Sequence, residues 1–137
     1  MPKLDRILET AIYVDDLDRA AQFYETVLQL APLLKIDRLY AYDVGGASVL
    51  LVFKRGASDH DMTSAIGTIP GHDASGRIHI AFAVGASELA DWEARLAAHA
   101  VLVEGRTHWP AGGDSVYFRD PDGHMLELAT PGLWRTY

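Results

Sequence analysis

Three segments of the sequence that alternate like β-strands each place one polar side chain on a face that otherwise holds small residues. The polar residues are Glu9, His79 and Glu127, and each is followed two positions later by an alanine. Residues two apart lie on the same face of a strand, so the alanines leave room beside the polar groups. If the three strands neighbour one another in a cupped sheet, the two carboxylates and the imidazole converge on its concave side.

Two carboxylates and an imidazole in one enclosed site repel one another or stay unsatisfied unless a cation neutralises them. A divalent metal ion does this, with histidine as the neutral ligand. The chain has no cysteine, so any metal must be held by His, Asp or Glu. Two oxygen donors and one nitrogen donor favour Mn²⁺, Fe²⁺, Ni²⁺ or Zn²⁺. Three protein ligands leave coordination positions open, which is typical of a catalytic metal site.

The composition narrows the class of partner. The 137 residues are 49% hydrophobic and 23% charged, which suits one folded domain with its own core. A formal net charge of −7, without a cluster of Lys and Arg, argues against nucleic acid or an anionic membrane surface as a partner. No apolar run approaches the roughly 20 residues that span a bilayer, and the N-terminal segment lacks a signal-peptide hydrophobic region. We therefore expect a cytoplasmic protein that acts on a small molecule.

The first half of the chain predicts one strand, one helix and further strands. Alternation over 7–14 indicates a strand, and Asp15 or Asp16 is a suitable N-cap for a helix that Pro32 would end. Segments 33–44 and 47–54 then read as strands on either side of the turn signal Gly45-Gly46. A polar segment of about twenty residues follows, and a loop of that length in a compact domain is usually functional or a linker.

The second half repeats this order of elements. Segment 77–84 reads as a strand and segment 86–100 as a helix capped by Ser87. Three further strands are predicted over 101–109, 114–120 and 124–130. The predicted organisation is one domain, 1–137, made of a first module 5–56, a linking loop 57–76 and a second module 77–132.

Three stretches of the chain resemble a known family. "AIYVDDLDRAAQFYETVLQL", "HIAFAV" and "SVYFRDPDGHMLELATP" are similar to the vicinal-oxygen-chelate superfamily, which includes glyoxalase I, bleomycin-resistance proteins, fosfomycin-resistance proteins and extradiol dioxygenases. The resemblance implies an α+β fold of two tandem βαβββ modules, whose cupped mixed sheets form a metal-centred cavity. It also implies one divalent metal ion as cofactor, a small-molecule substrate and a homodimer.

The resemblance carries the family's metal ligands onto named positions. The first ligand falls on Glu9, where the fosfomycin and dioxygenase branches most often have histidine, the second on His79 and the last on Glu127. Glyoxalase I and the epimerases of the family carry a fourth ligand on the last strand of the first module. This chain offers only Leu50 or Leu51 there, which implies a three-ligand member.

Four further residues are candidate substrate contacts. Tyr117 alternates with Val116 and is expected to face the cavity, and the resemblance to fosfomycin-type members implies that it contacts substrate. A packed aromatic ring with a solvated hydroxyl is the alternative. The other three candidates are Tyr13 and Trp109, as aromatic walls, and His72, from the linking loop.

Several activities are compatible with these residues. The first is Lewis-acid chemistry of lyase or isomerase type on a substrate with two adjacent oxygens, with Glu9 or Glu127 as general base. The second is extradiol-type oxygen chemistry with Fe²⁺, which the family usually supports with two histidines and one carboxylate. The third is non-catalytic antibiotic binding, as in bleomycin resistance, for which a charged trio is not needed. Fosfomycin opening is a fourth, narrower reading.

Overall fold

The computed structural model describes all 137 residues and divides them into two compact units, Met1–Ser75 and Gly76–Tyr137. Each unit contains one four-stranded mixed sheet and one α-helix, in the order strand, helix, three strands. This confirms the predicted α+β class and the tandem βαβββ arrangement. None of the helices is both long and apolar enough to cross a membrane.

The elements of the first unit are β1 (Glu9–Val14), α1 (Leu17–Thr26), β2 (Ala31–Ile36), β3 (Leu39–Val44), β4 (Ser48–Lys54) and a small hairpin of β5 (Met62–Ser64) and β6 (Gly67–Ile69). Those of the second unit are β7 (His79–Ala83), a short 3₁₀ helix (Ala86–Glu88), α2 (Leu89–Ala98), β8 (Gly105–His108), β9 (Asp114–Arg119) and β10 (Met125–Ala129). The large sheets have the strand orders β1-β4-β3-β2 and β7-β10-β9-β8.

In the first unit, alternation along β1 separates a buried face from an exposed one. Ile12 and Val14 are fully buried, whereas Glu9 and Ala11 are exposed. Helix α1 begins where the Asp16 carboxylate accepts a hydrogen bond from the Arg19 backbone N–H at 3.0 Å. These observations confirm the predicted strand faces and one of the two predicted caps.

In the second unit, β10 is an interior strand. It pairs in parallel with β7 and antiparallel with β9, so that Glu127 lies opposite Ala81 on one side and Tyr117 on the other. Leu126 and Leu128 are buried and face away from Glu127 by the two-residue alternation of a strand. Glu127 is therefore neither on an edge strand nor exposed to solvent.

Three local predictions were wrong. Helix α1 ends at Thr26 rather than at Pro32, because the backbone at Gln29 turns left-handed (φ 59°) and Pro32 already belongs to β2. Segment 33–44 is split between two antiparallel strands, β2 and β3, rather than forming one. Ser87 lies inside the 3₁₀ helix and caps nothing; the Gly85 N–H donates instead to the Glu88 carboxylate at 3.1 Å.

The linking segment also holds more structure than predicted, since β5 and β6 pair within it. Two hydrogen bonds join the end of this segment to the residues that follow β4. The Gly56 N–H donates to Asp73 and the His72 N–H donates to the Ser58 carbonyl. The segment is thus an ordered part of the first unit.

Candidate active site

The pairing of β7 with β10 brings two of the predicted metal ligands together. His79 lies opposite Met125 in the register, so its side chain reaches diagonally to Glu127 on the same face of the sheet. His79 Nε2 is 3.2 Å from Glu127 Oε1. The Glu127 side chain is 7% exposed and the His79 side chain 52% exposed, so the pair joins a buried carboxylate to a more accessible imidazole.

The other ring nitrogen of His79 determines which tautomer is present. Nδ1 is 3.0 Å from the Met125 carbonyl oxygen, and a carbonyl only accepts hydrogen bonds, so Nδ1 carries the proton. In the neutral ring, Nε2 therefore presents a lone pair to the Glu127 carboxylate. Two acceptors this close attract each other only if a proton or a metal cation lies between them.

A second chain of hydrogen bonds orients Glu127 from its other oxygen. The Ser115 hydroxyl donates to Glu127 Oε2 at 2.5 Å, and Trp109 Nε1 donates to Ser115 Oγ at 2.8 Å. Oε2 is therefore satisfied by the protein, while Oε1 remains directed at His79. The bond to Ser115 was not expected, although the same-face spacing of Ser115 and Tyr117 places both on the cavity side of β9.

A cavity of about 500 Å³ opens beside the His79–Glu127 pair and is lined by residues of the second unit. Small residues from β7 and β10 form its floor, and aromatic rings form its walls. These residues are Ala81, Ala83, Ala129, Trp109, Tyr117 and Trp134. The alanines that followed the polar residues in sequence thus leave open space where the strand alternation predicted it.

The C-terminal segment supplies a wall that the sequence did not point to. Leu133 and Tyr137 line the same cavity. The Tyr137 hydroxyl lies 2.9 Å from the Val84 carbonyl oxygen and 3.0 Å from that of Ala129. The segment is therefore tied to both β7 and β10, the strands that carry His79 and Glu127.

The remaining candidate residues lie in the first unit. Glu9 is exposed at the start of β1 and shares a strand face with Tyr13. The Tyr13 hydroxyl is 2.6 Å from His72 Nδ1, and the His72 ring meets the Phe53 ring edge-on at 4.6 Å between centroids. Burial, followed by the negative charge of Asp73, raises the pKa of Tyr13. Tyr13 and His72 thus form one local pair on the Glu9 face of the first sheet.

The expectation that all three polar residues sit on neighbouring strands was wrong for Glu9. β1 pairs with β4 in the sheet of the first unit, whereas β7 and β10 pair in that of the second. Within either unit, no three His, Asp or Glu side chains are grouped as a metal site. In the first sheet, Leu51 lies opposite Ala11, the place that Glu127 holds opposite Ala81 in the second. A leucine there agrees with the expected lack of a fourth ligand.

The donors present fit a divalent metal ion on chemical grounds. A buried carboxylate with one oxygen satisfied by a hydroxyl, and a histidine with its Nδ1 proton held by a carbonyl, match the second-shell pattern of metal ligands. The free acceptors of the two groups, Oε1 and Nε2, face each other at 3.2 Å. Glu127 and His79 are therefore the two residues of the second unit that would hold the ion.

Comparisons with known proteins agree with the fold. The family model described as the glyoxalase/bleomycin resistance protein/dioxygenase superfamily matches residues 6–128. A metallothiol transferase FosB of Shouchella clausii is 31% identical over 88% of this chain and 76% of its own. A probable lactoylglutathione lyase of Vibrio cholerae is 28% identical over 90% of this chain and 88% of its own.

A solved structure extends the similarity to nearly the whole chain. The crystal structure of a lactoylglutathione lyase from Agrobacterium tumefaciens has a TM-score of 0.88 and 35% sequence identity, and the match covers 98% of this chain and 99% of that one. The matched residues include the two sheets and the strands that carry His79 and Glu127. With its tandem βαβββ units and family-wide sequence match, this chain belongs to the glyoxalase/bleomycin resistance protein/dioxygenase superfamily.

Proposed function

We propose that this protein is a metal-dependent enzyme of glyoxalase type, which binds a small substrate through two adjacent oxygens and carries out lyase or isomerase chemistry. The observation that supports this most is the pair of acceptors, Nε2 of His79 and Oε1 of buried Glu127, facing each other at 3.2 Å. The names of the similar proteins, two of them lactoylglutathione lyases, support the same class of reaction. A bound divalent ion, Mn²⁺, Fe²⁺, Ni²⁺ or Zn²⁺, would act as a Lewis acid on a substrate carbonyl.

The protein side chains have separate tasks in this proposal. His79 and Glu127 bind the ion. Ser115 holds Oε2 of Glu127 and so leaves Oε1 for the ion. Glu127 would act as general base if Oε1 were released from the ion on substrate binding and took a proton from the substrate. Tyr117 and Trp109, which line the cavity, contact the substrate.

Three other functions are alternatives. Similarity to FosB, a metallothiol transferase, favours transfer of a thiol to a small electrophile as a second candidate. Extradiol-type chemistry with Fe²⁺ is less well supported, because one histidine and two carboxylates reverse the usual ligand count for oxygen-activating iron. Antibiotic binding without metal, as in bleomycin resistance, does not require the His79–Glu127 pair.

Metal quantification in the purified protein tests the proposal. We expect close to one divalent ion per chain in the wild type and a loss of most of it in Glu127→Ala. Glu104→Ala is the matched control, since Glu104 is an exposed glutamate that pairs with Arg119 at 3.3 Å. Glu9→Gln should lower metal content as well, if Glu9 is the third ligand. Equal metal content in wild type, Glu127→Ala and Glu104→Ala would refute the metal site.

A further inference from the structure

We infer that the substrate carries an apolar, uncharged group, aromatic by preference, which packs into the cavity of the second unit beside its metal-chelating oxygens. The inference rests on the proposed function only for the placing of the oxygens at His79 and Glu127. It narrows the substrate class, which neither the family nor the ligand pair specifies. The residues that line the cavity support this substrate class.

The cavity and the ligand pair are continuous. His79 and Glu127 themselves line the space of about 500 Å³, so a molecule that reaches the pair also occupies the cavity. Pockets of this size enclose most of the surface of a small ligand. The part of the substrate beyond its chelating oxygens must therefore fit among the residues that line the cavity.

The walls offer ring faces rather than hydrogen-bonding groups. Trp109 Nε1 already donates to Ser115 Oγ, and the Tyr137 hydroxyl is directed at two backbone carbonyls. The Tyr117 hydroxyl is 3.2 Å from Thr107 Oγ1. Because these polar atoms are engaged within the protein, what remains for a ligand is the apolar surface of the rings. Leu133 and Trp134 extend that surface at the outer side.

The charges of the cavity disfavour an anionic group. No lysine or arginine is among the lining residues, and its charged side chain is the Glu127 carboxylate. A phosphonate, phosphate or carboxylate beyond the metal would lie in an apolar space without a cation to pair with it, which is unfavourable. An uncharged ring would instead stack on Trp134 and Trp109 and bury apolar area.

Three metal chelators provide the test, and two of them differ only beyond the chelating oxygens. Benzohydroxamate and acetohydroxamate share one chelating group, with a phenyl ring or a methyl group attached, and phosphonoformate carries extra negative charge. Their affinities for the full-length protein loaded with Mn²⁺ or Zn²⁺ are measured by calorimetry. We expect benzohydroxamate to bind about tenfold or more tightly than acetohydroxamate, from burial of the ring, and phosphonoformate to bind more weakly than either.

A substitution in the cavity wall tests whether the preference for the phenyl ring arises there. Trp134→Ala should weaken binding of benzohydroxamate much more than that of acetohydroxamate, and so reduce the ratio of the two affinities toward one. Trp134 is 68% exposed, so its loss should not disturb folding. Leu102→Ala, which removes an equally exposed apolar side chain (74%) outside the cavity lining, should keep the wild-type ratio.

The outcomes separate the inference from the proposed function. Equal affinity for the two hydroxamates, or tighter binding of phosphonoformate, would overturn the inference while leaving the metal site intact. Binding of benzohydroxamate that is lost in Trp134→Ala but indifferent to metal removal would uphold the inference and refute the metal-dependent function. Failure of all three chelators to bind would count against both.

Discussion

At the scale of single residues, Glu127 carries the strongest constraint in the second unit. It is a carboxylate with 5% relative exposure, in the interior of a sheet, and its side chain accepts a hydrogen bond from the neutral Ser115 hydroxyl. Burying an ion without a compensating charge costs several kcal/mol. His79 at 3.2 Å supplies that compensation if a proton or a metal ion lies between them. The residue types around Glu127 thus describe a site for a cation.

Ser115→Ala tests the hydrogen bond that orients Glu127. The variant leaves Oε2 of a buried carboxylate without its donor, so we expect a loss of about 1–3 kcal/mol in the free energy of unfolding. Metal affinity should fall about tenfold or more, as for other outer-shell partners of metal ligands. Urea unfolding and metal titration measure the two effects.

Thr107→Ala is the control for this variant. Thr107 carries a hydroxyl on the neighbouring strand and contacts Tyr117 rather than Glu127. It should retain wild-type metal affinity. If both variants reduced metal affinity equally, the effect would come from general loosening of the sheet and the role of Ser115 would be wrong.

At the scale of elements, a turn couples the start of β9 to the end of β10 and so supports the cavity. Gly113 has a φ of +82°, and a Cβ there would lie 2.7 Å from the backbone oxygens of Thr130 and Pro131. Its carbonyl accepts from the Trp109 N–H at 3.0 Å. Glycine is therefore required by close approach as well as by backbone conformation.

Gly113→Ala should destabilise the protein more than Gly46→Ala. Gly46 has a similar φ of +69° but open space around its Cβ position, so it reports the conformational strain alone, about 1 kcal/mol. The backbone clash at Gly113 should add at least about 1 kcal/mol more, since overpacking typically costs 1–3 kcal/mol. Urea unfolding of the two variants gives the difference, and equal losses would contradict the clash.

A second contact between elements predicts pH-dependent stability. Tyr42 of β3 is fully buried against Tyr24 of α1 and donates its hydroxyl proton to Glu25 at 3.1 Å. Burial, followed by the charge of Glu25, raises the pKa of Tyr42 well above its ordinary value. A group whose pKa is higher in the folded state stabilises fully below its unfolded pKa, near 10 for tyrosine, and loses that contribution as pH rises beyond it.

Tyr42→Phe should therefore flatten the decline of stability above about pH 10. The free energy of unfolding, measured in urea at several pH values from neutral to alkaline, gives the slope. Tyr40→Phe serves for comparison, because the pKa of Tyr40 is raised first by its hydrogen bond to Asp18 at an exposed site. An unchanged slope in Tyr42→Phe would show that Tyr42 does not titrate differently in the folded state.

At the scale of the whole molecule, metal binding should be visible as stability. An ion bound only by the folded state stabilises it by about 2.7 kcal/mol at a free concentration of one hundred times Kd. For a chain of this length, that raises Tm by about 10 °C. We expect this shift with Mn²⁺ or Zn²⁺ in differential scanning calorimetry and its reversal by a chelator.

His79→Ala should lose the metal-induced rise in Tm, whereas His108→Ala should keep it. His108 is an exposed histidine, 82% accessible in its side chain, that pairs with Asp114 at 2.7 Å. A full shift in His79→Ala would exclude His79 as a ligand.

Dimerisation and cytoplasmic localisation stay predictions from sequence and family.

Sequence alone determined the features that depend on neighbouring positions. Two-residue alternation assigned Glu127 to the face opposite Leu126 and Leu128, and the Asp16 cap marked the start of α1. The family motifs determined the order of elements in each unit. Such features follow from local geometry, which the chain carries in every short segment.

Tertiary structure alone decided which distant residues meet. The pairing of β7 with β10 and the return of Tyr137 onto Val84 join positions far apart in the chain. No local pattern specifies such partners, because they are selected by the packing of whole strands and by the satisfaction of buried polar groups. That is why sequence named Glu127 and His79 as candidates, while the fold decided that their free acceptors face each other beside an aromatic cavity.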